Sequence, residues 1–292
     1  LLDWESGTRL VAVDLMTGEI VWTRRIPSTT TPDTCTLMGS GGGFFFVREN
    51  DATSWANGRV VCLRAENGDR LWEVPYGPWW MSAPVLYSPT GEGMVFFGTR
   101  TFGPCHQVPI VDGRPSLAGL YGAWANGDLI WFDLGPKGLD FVCDLALDDT
   151  LLYCLWNEDL VAYRQQYGEK VWQREIDGEA ILLQGDEIFV TGGASVTALD
   201  KRTGKRRWSS PEYYATGLFP AQPSCRGGKL FLVSSTDQPN WRPEFTIAVS
   251  TASRKALWRA RYDGFGWPRR VLATDKYVVC RPHDAYDRVV LR

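Results

Sequence analysis

One eleven-residue pattern constrains this chain more than any other feature. Residues 12–22 read A-V-D-L-M-T-G-E-I-V-W and residues 198–208 read A-L-D-K-R-T-G-K-R-R-W, with Ala, Asp, Thr, Gly and Trp at the same offsets. Weaker copies end at Trp72, Trp131, Trp172 and Trp258. Gly stands four residues before Trp in every copy but the last, where Arg254 takes its place. A unit that recurs in this way points to a repeat architecture. Successive tryptophans lie between 36 residues (Trp172 to Trp208) and 59 residues (Trp72 to Trp131) apart. That is the length of a four-stranded propeller blade with variable connections. The segments between them alternate, or run β-branched and aromatic, as at 9–13, 94–97, 187–190 and 229–233. Helical repeats would instead show apolar residues every three or four positions. The expectation is an all-β chain, a β-propeller of four-stranded antiparallel blades, forming one domain over residues 1–292. Six tryptophan-bearing blades plus strands at 270–273, 277–280 and 289–291 make seven the preferred count. The closing blade is expected to lie beside residues 1–15, and six blades with merged ends is the runner-up.

The pattern A-x-D-x-x-T-G-x-x-x-W resembles the tryptophan-docking repeat of the quinoprotein (PQQ) alcohol dehydrogenase-like propellers. That family also includes an outer-membrane assembly lipoprotein and sensor domains attached to bacterial Ser/Thr kinases. The resemblance implies burial of Trp22, Trp72, Trp131, Trp172, Trp208 and Trp258 on outer strands, each packed near its own repeat's Gly or Thr. It implies a bacterial protein and permits an extracytoplasmic one. The quinone enzymes of the family cover their cofactor with adjacent cysteines, and this sequence has no Cys-Cys pair. No PQQ site and no other cofactor is expected.

Composition narrows the partners. Net charge is −3, with both signs interspersed and no basic stripe, which argues against nucleic acid. No apolar run approaches the roughly 20 residues of a membrane helix. The chain lacks an initiator Met and a signal-peptide pattern, so a mature or cropped chain is expected. Seven cysteines without any C-x-x-C remove the usual zinc spacings and lean towards a reducing, cytoplasmic compartment. Cys143 and Cys154 are placed to face each other across a hairpin.

Fourteen tryptophans exceed what the six repeats use. Trp55, Trp79, Trp80, Trp241 and Trp267, with Tyr213, Tyr214 and Arg242, fall in the long connections between second and third strands or between blades. Both histidines, His106 and His283, fall there too, with Asp284 beside the second. In a propeller those connections emerge on one face, and long loops on a rigid scaffold usually carry function. The glycine cluster at 39–43 is followed by neither a helix pattern nor Lys-Ser/Thr, so it reads as a hairpin turn rather than a phosphate loop. No G-x-S-x-G elbow marks a hydrolytic nucleophile. Adjacent Cys105-His106 makes a poor pair of metal ligands, and no metal is expected.

Two functions follow. The first is a non-catalytic binding, scaffold or sensor propeller that presents its aromatic face to a protein, peptide or glycan. The second is an enzyme of cyclase or isomerase type acting on a small molecule in the same place. Its acid–base chemistry would be carried by His106, His283 or Asp284. Family resemblance favours the first.

Overall fold

The computed structural model of the chain describes residues 9–25, 35–50, 58–77, 85–89, 93–98, 110–111, 114–115, 119–137, 142–192, 195–210, 223–234, 245–261, 268–274, 276–282 and 289–291. Among them every regular element is a β-strand. The chain forms two compact units, Leu1–Trp156 with Ala162–Val171, and Asn157–Val161 with Trp172–Arg292.

The first unit opens with the hairpin β1 (Arg9–Val13) and β2 (Ile20–Arg25). A four-stranded sheet follows in plain chain order: β3 (Cys35–Gly41), β4 (Phe44–Asn50), β5 (Gly58–Arg64) and β6 (Arg70–Gly77). Next come β7 (Leu86–Ser88) and β8 (Met94–Gly98), then a small hairpin of β9 (Ile110–Val111) and β10 (Arg114–Pro115). β11 (Leu120–Trp124) and β12 (Leu129–Asp133) return to the sheet, giving the order β7-β8-β11-β12. The third full sheet is β13 (Val142–Leu147), β14 (Leu151–Trp156), β15 (Asp159–Arg164) and β16 (Lys170–Glu175), and the boundary between the units falls inside β15 and β16.

The second unit continues with β17 (Ala180–Gln184), β18 (Glu187–Gly192), β19 (Ser195–Asp200) and β20 (Arg206–Ser210). The fifth full sheet is β21 (Ser224–Arg226), β22 (Lys229–Ser234), β23 (Phe245–Ser250) and β24 (Ala256–Arg261). A three-stranded sheet of β25 (Pro268–Ala273), β26 (Val278–Pro282) and β27 (Val289–Leu291) ends the described structure. β1 and β27 fall where the pattern put them, and the other strands read from the sequence above run one or two residues longer. The chain ends were expected to share one closing sheet. β1–β2 and β25–β26–β27 are instead separate ladders among the described residues. Strand pattern alone could not have decided this, because a backbone ladder does not depend on which side chains it carries.

The register explains the alanine of the repeat. Directly across the ladder from five of the six tryptophans sits a small residue: Ala12 opposite Trp22, Cys62 opposite Trp72, Gly122 opposite Trp131, Ala198 opposite Trp208 and Ala248 opposite Trp258. A β-bulge follows each of them at once. The indole lies over its small neighbour: a Cβ added at Gly122 would come within 2.5 Å of the Trp131 ring.

The packing of the tryptophans corrects one expectation. Four of the six indoles, Trp22, Trp72, Trp131 and Trp172, meet the turn of the following sheet rather than that of their own repeat. Trp22 Nε1 donates to the Ala65 carbonyl (2.8 Å), Trp72 to Ala125 (2.7 Å), Trp131 to Gln165 (2.9 Å) and Trp172 to Lys201 (3.1 Å). The rings cover Gly68, Gly127, Gly168 and Gly204 in the same order. All four glycines have φ between +65° and +95°, a backbone that side chains rarely adopt. The reason is geometric: a strand's own turn lies in the plane of its sheet, whereas its side chains leave that plane. Two arginines brace the same joints. Arg24 donates to the Gly68 carbonyl, and Arg174 donates to the carbonyls of Gly204 and Thr203.

Burial is also less uniform than expected. Trp172 and Trp208 are buried, Trp22, Trp72 and Trp131 are half-buried, and Trp258 is 38% exposed. Trp208 packs on Leu230, Leu232, Ile247 and Val249. Arg254, at φ +62°, stands where the next turn would carry glycine, and Trp208 makes no indole–carbonyl bond among the described residues. The first turn is bare by comparison: nothing lies within 4 Å of a Cβ placed on Gly18, and Leu15 and Met16 are exposed.

The aspartate of the repeat closes its turn. Asp200 Oδ1 accepts from the Arg202 and Thr203 N–H groups and from the Thr203 hydroxyl, while Oδ2 accepts from Arg207 (2.6 Å). Asp14 accepts from Met16 and Thr17 in the same way. Where asparagine precedes the glycine, Asn67 and Asn126 bond Asp69 and Asp128 instead. The Arg207 guanidinium, followed by the Thr203 hydroxyl, holds the Asp200 carboxyl down to about 2, against roughly 3.9 for a free aspartate. A depressed folded value stabilises the native state above the unfolded value, and that contribution is lost as pH falls towards 2. Asp200→Asn is therefore expected to lower the urea midpoint at pH 6, with the gap to wild type closing as the pH approaches 2. A gap independent of pH would contradict this role.

The thiols are structural. Cys62, Cys143, Cys154 and Cys225 are in no disulfide, so no S–S bond joins Cys143 to Cys154 across the hairpin. Cys154 pairs in register with Leu145, and Cys143 sits in the bulge beside it. Burial pushes the Cys154 thiol well up and that of Cys62 to about 12. Neither is a reactive thiolate near neutral pH.

Candidate functional site

The residues chosen from the sequence lie outside the described residues: Trp55, Trp79, Trp80, His106, Tyr213, Tyr214, Trp241, Arg242, Trp267, His283 and Asp284. The strand boundaries do fix where each falls along the chain. Trp55 lies between β4 and β5, His106 between β8 and β11, Trp241 and Arg242 between β22 and β23, and His283 and Asp284 between β26 and β27. All of these are second-to-third-strand connections. Trp79 and Trp80, Tyr213 and Tyr214, and Trp267 lie between a fourth strand and the next first strand. The opposite turns are short: Gly42-Gly43 joins β3 to β4, Gly185-Asp186 joins β17 to β18, and Gly227-Gly228 joins β21 to β22.

A concave site that the sequence reading missed lies in the second unit. It is an open groove of about 460 Å³ lined by β21, β22, β24 and the β25–β26 turn. Trp258, on β24, forms one wall and meets Phe231 with ring centroids 6.0 Å apart. Beneath them Phe231, Ala248, Val271 and Val278 form a buried cluster. The far wall is the turn before β26. Thr274 ties it down, its hydroxyl accepting from the Tyr277 N–H (2.9 Å) and its own N–H donating to the Tyr277 carbonyl (2.8 Å). Across the two walls Ala273 N–H donates to Ser224 Oγ (3.2 Å).

The groove's electrostatics are one-sided. Arg226, Lys229, Arg259 and Lys276 line it, and among the described residues the lining includes no carboxylate, histidine or cysteine. Its four cations suit it to binding an anionic group. Such a site gives no local signal, because its cations come from four separate places in the chain. More broadly, no three His, Cys, Asp or Glu side chains gather as metal ligands among the described residues. No helix among them is long and apolar enough to cross a membrane.

Four-stranded antiparallel sheets in chain order, passing an indole to the next sheet's glycine turn within each unit, define a β-propeller built of PQQ-like repeats. The chain belongs to the family described as outer membrane protein assembly factor BamB, whose profile matches residues 5–101, 121–240 and 157–265. It is 34% identical over 89 residues to a quinohemoprotein alcohol dehydrogenase, ADH-IIG, of Pseudomonas putida. That match covers 30% of this chain, which spans only 11% of the dehydrogenase's length. Among solved structures the chain is similar to BamB from Moraxella catarrhalis, with a TM-score of 0.64 at 14% identity over 97% of this chain and 78% of that one. It is also similar to a europium-containing methanol dehydrogenase, with a TM-score of 0.59 at 12% identity over 93% and 69% of the two chains. These structural likenesses establish the fold.

Proposed function

We propose that residues 1–292 form one non-catalytic, seven-bladed propeller domain that acts as a scaffold, binding a protein partner through the face that carries its long connections. The observation that supports this most directly is the strand order. Every aromatic residue singled out from the long connections falls between second and third strands or between sheets, and in a propeller those connections share a face. Membership of a family described by an assembly factor favours a protein as the partner. Indole and phenol rings suit such a face because they offer large rigid contact area at little cost in conformational entropy. Arg242 and His283 supply the polar contacts. The connections β14–β15, β16–β17 and β18–β19 are short, so the binding surface opens towards those sheets.

Joint replacement of Trp79 and Trp80 by alanine tests the reading. The double variant is expected to keep its circular dichroism spectrum and thermal midpoint while losing the partner protein that co-purifies with the wild type. Undiminished recovery of that partner would overturn the proposal. So would capture of a glycan in its place, or turnover of a small molecule that disappears in His283→Ala.

A further inference from the structure

The turns that close the repeat differ in charge between the two units. In the first unit they carry acid: Asp14 and Glu19 between β1 and β2, Glu66 and Asp69 between β5 and β6, Asp128 between β11 and β12, and Glu169 between β15 and β16. None of these turns holds Lys or Arg. In the second unit the same turns are basic. Lys201, Arg202 and Lys205 lie between β19 and β20, and Arg254 and Lys255 between β23 and β24, with no carboxylate in either turn. Arg206, the first residue of β20, extends the row. Lys201 is half-buried, and the other five cations are exposed.

Packing brings these turns to one end of the unit. Backbone bonds stitch together the turns within each sheet. Lys201 N–H donates to the Asp186 carbonyl (3.0 Å), and the Thr251 N–H and hydroxyl both donate to the Gly228 carbonyl (3.0 Å). Trp208, two residues past Arg206, packs on Leu230 and Val249, which pair beside the turns of the next sheet. The turn ends of the two sheets therefore lie side by side. Of their four turns only β17–β18 carries an acid, Asp186. Asp200 and Glu187, in the adjoining strands, are engaged by Arg207 at 2.6 and 3.4 Å. Between the cations stand Thr203, Gly204, Thr251, Ala252 and Ser253, with no aromatic anchor of the kind that holds protein interfaces. Cations on small, exposed turn tips suit a plane of negative charge. We propose that this turn end of the second unit docks onto a bilayer that exposes anionic lipid headgroups. The Lys and Arg side chains reach the headgroup phosphates. The long connections leave the opposite ends of the same strands and stay clear for a protein partner.

Co-sedimentation of the whole chain with lipid vesicles is the test. Vesicles of equal parts phosphatidylcholine and phosphatidylglycerol are expected to carry the protein down, and pure phosphatidylcholine vesicles are not. Binding should weaken as salt rises, because exposed charges are screened. Arg202→Glu with Lys205→Glu, and separately Arg254→Asn with Lys255→Glu, should each weaken binding by about tenfold or more. Asn tolerates the left-handed backbone that Arg254 adopts, so the second pair of changes leaves its turn intact. Charge reversal in the first unit, Arg64→Glu with Arg164→Glu, should leave binding within about twofold, because these cations stand beside acidic turns and pair with Glu66 (3.7 Å) and Glu169 (3.4 Å). That variant separates the local surface from net charge, and circular dichroism of all three is expected to match the wild type. Equal sedimentation with neutral vesicles, no binding to anionic ones, indifference to both pairs of changes, or an equal loss in the first-unit variant would overturn the proposal. So would tighter binding of a DNA duplex than of the anionic vesicles. Salt-sensitive dimers that vanish in the Arg202 and Lys205 variant would also overturn it, assigning the surface to the acidic turns of a second copy.

Discussion

Replacing Trp172 by alanine is expected to destabilise the chain by about 3–5 kcal/mol, the range for truncating a large core aromatic. Its indole is 9% exposed, covers Gly204 and donates to the Lys201 carbonyl at 3.1 Å. Truncation removes apolar burial and leaves both a void and a carbonyl without its donor. Trp258→Ala is the internal comparison. That indole sits at the same offset in its repeat but is 38% exposed beside an open groove, so its loss should cost no more than about 1 kcal/mol, nearer the range of surface changes. Urea unfolding of both variants, followed by circular dichroism, measures the difference. Equal losses would mean that the contacts with the following turn contribute little, and the repeat's Trp would then act only within its own sheet.

Gly204→Ala carries the second large effect, through two separable causes. At φ +65° a side chain meets the left-handed penalty of about 1–2 kcal/mol. Its Cβ would also stand 2.6 Å from the Trp172 ring, and crowding of this kind costs typically about 1–3 kcal/mol. Gly18→Ala isolates the first cause. Gly18 has φ +74°, but nothing lies within 4 Å of its added Cβ. Its loss should be the backbone penalty alone, so the difference between the two variants reports the contact with the indole. The chain contains its own version of this substitution at Arg254, which holds φ +62° below the Trp208 position. Arg254→Gly should therefore raise stability, by up to about 1–2 kcal/mol. If Gly204→Ala and Gly18→Ala cost the same, the indole yields to the new methyl and the joint is softer than its geometry implies.

Some of this molecule was legible from its residues alone. The period of the A-x-D-x-x-T-G-x-x-x-W pattern gave the all-β repeat architecture, because alternation and turn chemistry are local properties that each copy restates. The Asp200 turn could be read in the same way, since its acceptor and donors lie within seven residues of one another. The long connections holding Trp79, Trp80 and His283 were also placed correctly between strands, because gaps in a periodic pattern are visible without coordinates. Three things were decided only by tertiary structure. Trp22, Trp72, Trp131 and Trp172 cover the glycine of the next sheet rather than their own, because side chains leave the plane of a sheet and reach whatever packs on its face. Among the described residues β1–β2 and β25–β26–β27 form separate ladders, which the strand pattern could not decide because backbone hydrogen bonding carries no sequence address. The basic groove at Trp258 brings together Arg226, Lys229, Arg259 and Lys276 from four turns and strands. No spacing in a linear sequence announces that meeting, since it exists only once the sheets have packed.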